Sequence, residues 1–279
     1  MGARKRKAPD EIQIRKWLDQ TLTQFHRPEF LGSDPLELPH RFEHAEDREL
    51  IAVISALFAY GNVKSMKAAI LTVVTPLGER PAEKLKSIDE NEIGKIWAKA
   101  YYRFYSSKDI QALLRGLQKI LKDHGSITNF FQASSEFPTR EGSIFDWIQH
   151  FRNELLTSMP KKLTPGLKFM LADPHAGAAK RWHMLMRWMV RKDHIDLGIW
   201  SFIPRSSLVL PLDTHLFQIA RALQLTKRKA ASRQAALEVT EAFRRWDPED
   251  PMKYDFALCR LGVLKVRDRE LAALQKQFK

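Results

Sequence analysis

Residues Leu50-Ile51-Ala52-Val53-Ile54-Ser55-Ala56-Leu57-Phe58-Ala59 are apolar at nearly every position and run into Tyr60-Gly61-Asn62. A helix that is apolar all round has no face to give to water, so other elements must enclose it. The segment beginning at Asp47 is therefore expected to form the middle of a helical lobe. Its neighbours read as helices too. Asp10 to Phe25 carries an apolar stripe of Ile12, Ile14, Trp17, Leu18 and Leu22. Further helices are expected over 64–74, 90–104, 109–124, 127–132, 143–157, 178–191, 213–223 and 231–244, with a short element starting at 167–171. A terminal helix is expected from Pro251, with Asp250 as its cap and proline at the first helical position. The proline-rich stretch from Arg27 to Pro39 reads as a long connector. No run alternates over several strands and no repeat recurs at solenoid period, so the expected class is all-α.

The 279 residues hold 46 Lys and Arg against 33 Asp and Glu, a net charge of +13. That excess points to a polyanionic partner, most economically DNA or RNA, because neutralised phosphates release counterions. No segment approaches the length of a membrane-spanning apolar run and no signal-peptide pattern opens the chain, so no membrane partner and a cytoplasmic, nucleoid-associated protein are expected. A basic arm over residues 1–8 is expected to be a disordered tail. The single cysteine, Cys259, excludes an intrachain disulfide, a cysteine zinc finger and a four-cysteine iron–sulfur cluster, and reads as a small buried residue. His40 and His44 have helical metal-ligand spacing, but Pro39 breaks the face they would share, so neither metal nor cofactor is expected.

Two features carry chemistry. Asp213, in Pro211-Leu212-Asp213-Thr214-His215-Leu216-Phe217, precedes an apolar-periodic run and reads as a helix N-cap with a free carboxylate oxygen. Thirty-three residues earlier, Lys180 follows the small-residue turn Ala176-Gly177-Ala178, where a new helix offers free backbone N–H groups.

These segments resemble the helix-hairpin-helix DNA glycosylase superfamily, which includes endonuclease III and the 8-oxoguanine glycosylases. Residues 211–221 are similar to that superfamily's aspartate motif, and Lys180 matches the lysine that opens the hairpin's second helix in its bifunctional members. The likeness covers most of residues 45–262 and extends to a bacterial family of glycosylase-like proteins. It departs in three places: the hairpin has no Gly-x-Gly, residues 193–210 lengthen the lysine–aspartate interval as in the archaeal 8-oxoguanine branch, and the cluster cysteines are missing.

The resemblance implies a monomer with a single all-α domain over residues 9–279. Its lobes would be about 45–165 and, for the hairpin lobe, 9–44 with 166–279. It implies a base-excision-repair glycosylase with β-lyase activity on a damaged base, such as an oxidised purine, flipped from duplex DNA. Lys180, kept neutral by burial or by Arg181, would attack C1′, and Asp213 would stabilise the charge on the sugar. Gly177, Ala178 and Arg181 would hold phosphates, Tyr60 and Asn62 would fill the vacated stack, and Asp255 and Phe256 would form the base pocket. The alternative is a non-catalytic DNA- or RNA-binding module on the same scaffold.

Overall fold

The computed structural model describes residues 10–133 and 143–277, so the arm over 1–8 lies outside the described residues. Every regular element among the described residues is helical, and the only β-type pairings are two isolated bridges. Helix α1 (Glu11–Phe25) starts where Asp10 accepts the backbone N–H of Ile12. The connector that follows is a chain of short 3₁₀ turns, each opened by a proline: Pro28–Ser33, Pro35–Glu37 and Pro39–Arg41.

Helix α2 (Ala45–Leu57) is the enclosed element expected from its composition, with every residue from Glu49 to Leu57 buried. It packs against α3 (Val63–Val74), α4 (Pro81–Ser87), α7 (Ile127–Ala133) and α10 (Lys180–Val190). Its two buried acids are used as remote caps. Asp47 Oδ1 accepts the Ala82 N–H at the start of α4 (2.7 Å), and Glu49 accepts the N–H groups of Ile127 and Thr128 at the start of α7 (3.1 and 3.3 Å). The indole of Trp200 donates to the same Glu49 carboxylate at 2.8 Å. Burial pushes the Glu49 carboxyl up, against these three donors and the Thr128 hydroxyl, which also donates to it. A carboxylate at a helix N-terminus both satisfies orphan donors and meets the positive end of the dipole.

A second set of contacts gathers on α6 (Ser107–His124), which packs on α4, α5 (Glu90–Ile96), α7 and α8 (Ile144–Thr157). After the short α9 (Pro165–Met170) and α10 come α11 (Thr214–Ala222), α12 (Arg233–Trp246), α13 (Asp255–Val263) and α14 (Arg267–Gln277). Helix α13 packs on α1, α11 and α14.

The structure corrects the expected elements in three places. Helix 90–104 stops at Ile96, because Gln111 donates to the carbonyls of Gly94 and Trp97 and draws the chain onto α6. The chain then forms a tight turn in which Tyr102 and Tyr105 bridge. Residues 251–254 are a turn, and the helix expected from Pro251 starts at Asp255, which is anchored by Arg187. Helix α4 had no expected counterpart, and its start is stabilised by Asp47, thirty-five positions away.

Candidate active site

Helices α9 and α10 are joined by the turn 171–179, in which Gly177 takes φ 74° and Ala179 takes φ 44°, both left-handed. For alanine that conformation costs roughly 1–2 kcal/mol. The consequence is positional: Ala179 offers no capping side chain, and Lys180 becomes the first residue of α10. On the facing side, Asp213 caps α11 through Oδ1, which accepts the Leu216 N–H at 2.8 Å. Its other oxygen, Oδ2, lies 3.3 Å from Lys180 Nζ. Helix α11 can sit this close to α13 because residue 262 is glycine; a Cβ there would fall 2.7 Å from His215 Cγ.

The two groups face an open cavity of about 440 Å³, lined by Ala59, Tyr60, Gly61, Arg181, Trp182 and His215 among others. The Lys180 side chain keeps 35% of its surface accessible and that of Asp213 18%. Burial alone would push its ammonium down, but Asp213, with Cys259 and Asp255 behind it, outweighs burial and holds it above the usual lysine range. The amine is therefore not made neutral by its surroundings. The Arg181 guanidinium is bonded to Leu57, Tyr105 and Phe169. Cys259 is half-buried rather than buried, and its thiol is pushed up to about 12 by burial and by Asp213 and Asp255.

Arg181 donates to the Leu57 carbonyl (2.8 Å), to the Tyr105 hydroxyl and to the Phe169 carbonyl, and lies over the Phe169 ring at 4.3 Å. These bonds take three of the five guanidinium donors, both of those on Nη1 among them. Tyr60 lines the cavity, yet its hydroxyl donates to the Tyr102 carbonyl (3.0 Å) and Tyr102 donates back to the Tyr60 carbonyl. Asn62 caps α3, accepting from Lys64 (2.9 Å). Gly177 is exposed on the hairpin turn and Ala178 is half-buried there.

Asp255 and Phe256 are both buried and do not line the cavity. Asp255 accepts from Arg187, and Phe256 lies beneath the guanidinium of Arg260 at 4.5 Å. Sequence reasoning missed the network behind them. Arg187 also pairs with Asp196 (3.2 Å), Arg191 pairs with Asp193, Asp196 and Asp250, and His26 meets Asp193 at 2.9 Å. Arginines inside an amphipathic helix and scattered aspartates gave no pattern by which to find it.

A larger groove, about 770 Å³, runs beside α1, but its described lining comes from that one helix and Arg27. It brings no second element's chemistry to a common point. No group of three or more metal-ligating side chains occurs among the described residues. His40 is engaged instead, its ring nitrogen 2.7 Å from the Ile195 carbonyl. No described helix is long and apolar enough to cross a membrane.

No curated protein and no solved structure matches this chain. One family model does match, over residues 34–264, a span that holds α2, the hairpin, Lys180 and Asp213; the chain belongs to the family described as "Protein of unknown function (DUF2400)".

Proposed function

We propose that this protein is a DNA glycosylase with lyase activity on a helix-hairpin-helix glycosylase-like scaffold, excising a damaged base through Lys180 and Asp213. The observation that carries the reading is the 3.3 Å approach of Nζ to Oδ2 across an open cavity. A binding module needs only a basic surface, whereas an amine and a carboxylate converging on one cleft is the arrangement that attack on a sugar carbon requires. The net charge of +13 supports a nucleic-acid substrate.

The chemistry follows from the resting state of the pair. Lys180 rests as an ammonium, so its proton must leave, to Asp213 or to water, before the nitrogen lone pair can react. The nitrogen then bonds to C1′ of a flipped nucleotide, and the glycosidic bond breaks with its electron pair going to the base, which takes up a proton. Asp213 is fixed by its capping bond and keeps Oδ2 available to offset positive charge on the sugar. Opening of the sugar ring gives an imine. Loss of a C2′ proton then expels the 3′ phosphate and nicks the strand.

Borohydride reduces such an imine to a stable amine, so it should cross-link the protein to a lesion-bearing oligonucleotide. Lys180→Gln should abolish both cross-link and nicking while retaining most binding, since one cation of many is removed. If Lys180→Gln traps like wild type, another nucleophile acts. If no lesion in a broad panel yields excision or adduct, the non-catalytic binding module replaces the enzyme.

A further inference from the structure

Two large rings that pack on the cavity wall at Tyr60 are open to solvent, Phe104 at 61% and Phe169 at 39%, and Tyr101, three residues before Phe104, is 68% exposed. They are not loosely held. Tyr102 and Tyr105 exchange two backbone hydrogen bonds, Tyr102 N–H to Tyr105 O at 3.0 Å and Tyr105 N–H to Tyr102 O at 2.8 Å. This closes a turn with Arg103 and Phe104 at its tip, and Arg103 takes the left-handed φ of 51°. Strained backbone at an exposed tip persists only where the surroundings over-determine it.

The Phe104 ring lies nearly parallel to Tyr60, 6.1 Å away at 6°, and meets the edge of Phe169 at 5.3 Å. Tyr60 is itself a wall of the Lys180–Asp213 cavity. Phe104 and Phe169 therefore form a shelf that adjoins the cavity at Tyr60, backed by one another and open on the outside, with the exposed Tyr101 next to their turn in the chain. The segment that carries Tyr101 and Phe104 has charge of one sign. Lys99, Arg103 and Lys108 are exposed, and no carboxylate occurs between Glu92 and Asp109. Asp109 is buried and directed inward, to Thr164 and Ser106. Flat rings interleaved with cations are what an unpaired polynucleotide strand requires, since every base has a face to stack and each phosphate needs a countercharge.

We infer that this shelf stacks an unpaired base next to the nucleotide that enters the cavity, so that the preferred substrate is single-stranded or locally opened DNA rather than intact duplex. The inference rests on the nucleic-acid reading above and deepens it. Side chains expected to plug an intact duplex, Tyr60 and Asn62, are committed to Tyr102 and to the α3 cap, whereas Tyr101 and Phe104 present free faces.

The test is equilibrium binding of the full-length protein, carrying Lys180→Gln so that no chemistry intervenes. The probes are labelled oligonucleotides of one sequence as single strand, bubble and paired duplex. Single strand and bubble should bind more tightly than duplex. Tyr101→Ala with Phe104→Ala should weaken single-strand binding by about 5- to 150-fold for each base that loses its stacking partner, and leave duplex binding nearly unchanged. Phe104→Trp alone should keep the preference, because it retains a ring at that position; both positions are exposed, and thermal melting will verify the fold of each variant. Equal or tighter duplex binding, or equal loss on all three probes, overturns the inference. If trapping through Lys180 succeeds while the double variant keeps its preference, the shelf is wrong and the reaction stands. If the preference follows the rings while no lesion is excised, the reaction is wrong and the shelf stands. Absence of binding to every probe removes both.

Discussion

Helix α10 carries two kinds of ion pair two turns apart, and the contrast between them separates structure from chemistry. At its start, Lys180 meets one oxygen of Asp213 on the wall of an open cavity. At its other end, Arg187 in the last turn and Arg191 at the C-cap are sunk among Asp196, Asp250, Asp255 and Asp193, with both side chains less than a tenth exposed. The deep cluster distributes four carboxylates over two rigid forks, an arrangement that fixes helices and leaves no room for a reactant. The shallow pair is a single contact between a flexible amine and a carboxylate whose second oxygen is already used as a cap. Both are charged pairs on one helix. Solvent access and spare bonding capacity mark the shallow one as the reactive site.

Breaking the deep cluster should have the larger effect on the fold. Asp196→Ala leaves Arg187 and Arg191 each short of a partner in a buried site, which should cost about 3–5 kcal/mol, read by urea unfolding. The trapping rate of the folded fraction should hardly change. A comparable loss of trapping without loss of stability would mean that the cluster is part of the reacting site, and the contrast would fail.

Asp213→Asn tests the shallow pair in the opposite sense. Asparagine caps a helix about as well as aspartate, so the melting temperature should hold. Excision should fall by about 100- to 1,000-fold with the loss of the carboxylate's charge. Cooperative unfolding of Asp213→Asn at a much lower temperature would show that capping is this residue's whole task.

The pair should also respond to pH in its own direction. Because Asp213 holds the Lys180 ammonium above the usual range, the neutral fraction grows as pH rises, and single-turnover trapping should climb about tenfold per unit between roughly pH 6 and 9. In Asp213→Asn the ammonium loses its partner, so the climb should level off at lower pH. A flat profile in the wild type would exclude amine deprotonation as the controlling step.

A last effect concerns stability against acid. His183, one turn beyond Lys180, is buried and its imidazole is pushed down to about 3, chiefly by burial and then by Arg233. An unfolded histidine titrates near 6.5, so between about 6.5 and 3 the unfolded chain holds a proton that the folded one does not. Stability should therefore fall as pH falls through that window, by about 1.4 kcal/mol per unit. His183→Met should flatten that part of the curve. An unchanged slope would place the acid sensitivity in the deep carboxylates instead.

The enclosed helix was legible because ten consecutive residues leave it no polar face, and Asp213 was legible as a cap because its partner lies three residues on. The start of α10 was expected within two residues, since Gly177 punctuates the hairpin. What escaped was long-range. Gln111 stops α5 from another helix, Asp47 starts α4, and Arg187 claims Asp255, which sequence reading had assigned to a base pocket. The same holds for Arg181, assigned to phosphate and found bonded to Leu57, Tyr105 and Phe169.

The amino-acid sequence by itself determined the helical class, the enclosed α2, the net positive charge and the placing of Lys180 and Asp213 at helix starts. Periodicity and capping act over a few residues, within reach of local reading. Only the tertiary structure decided that these two side chains meet, that the amine rests charged, and which arginines and aromatic rings remain available to a ligand. Coulomb attraction, desolvation and donor occupancy depend on distance in space, and Lys180 and Asp213 are thirty-three residues apart along the chain but 3.3 Å apart in the fold.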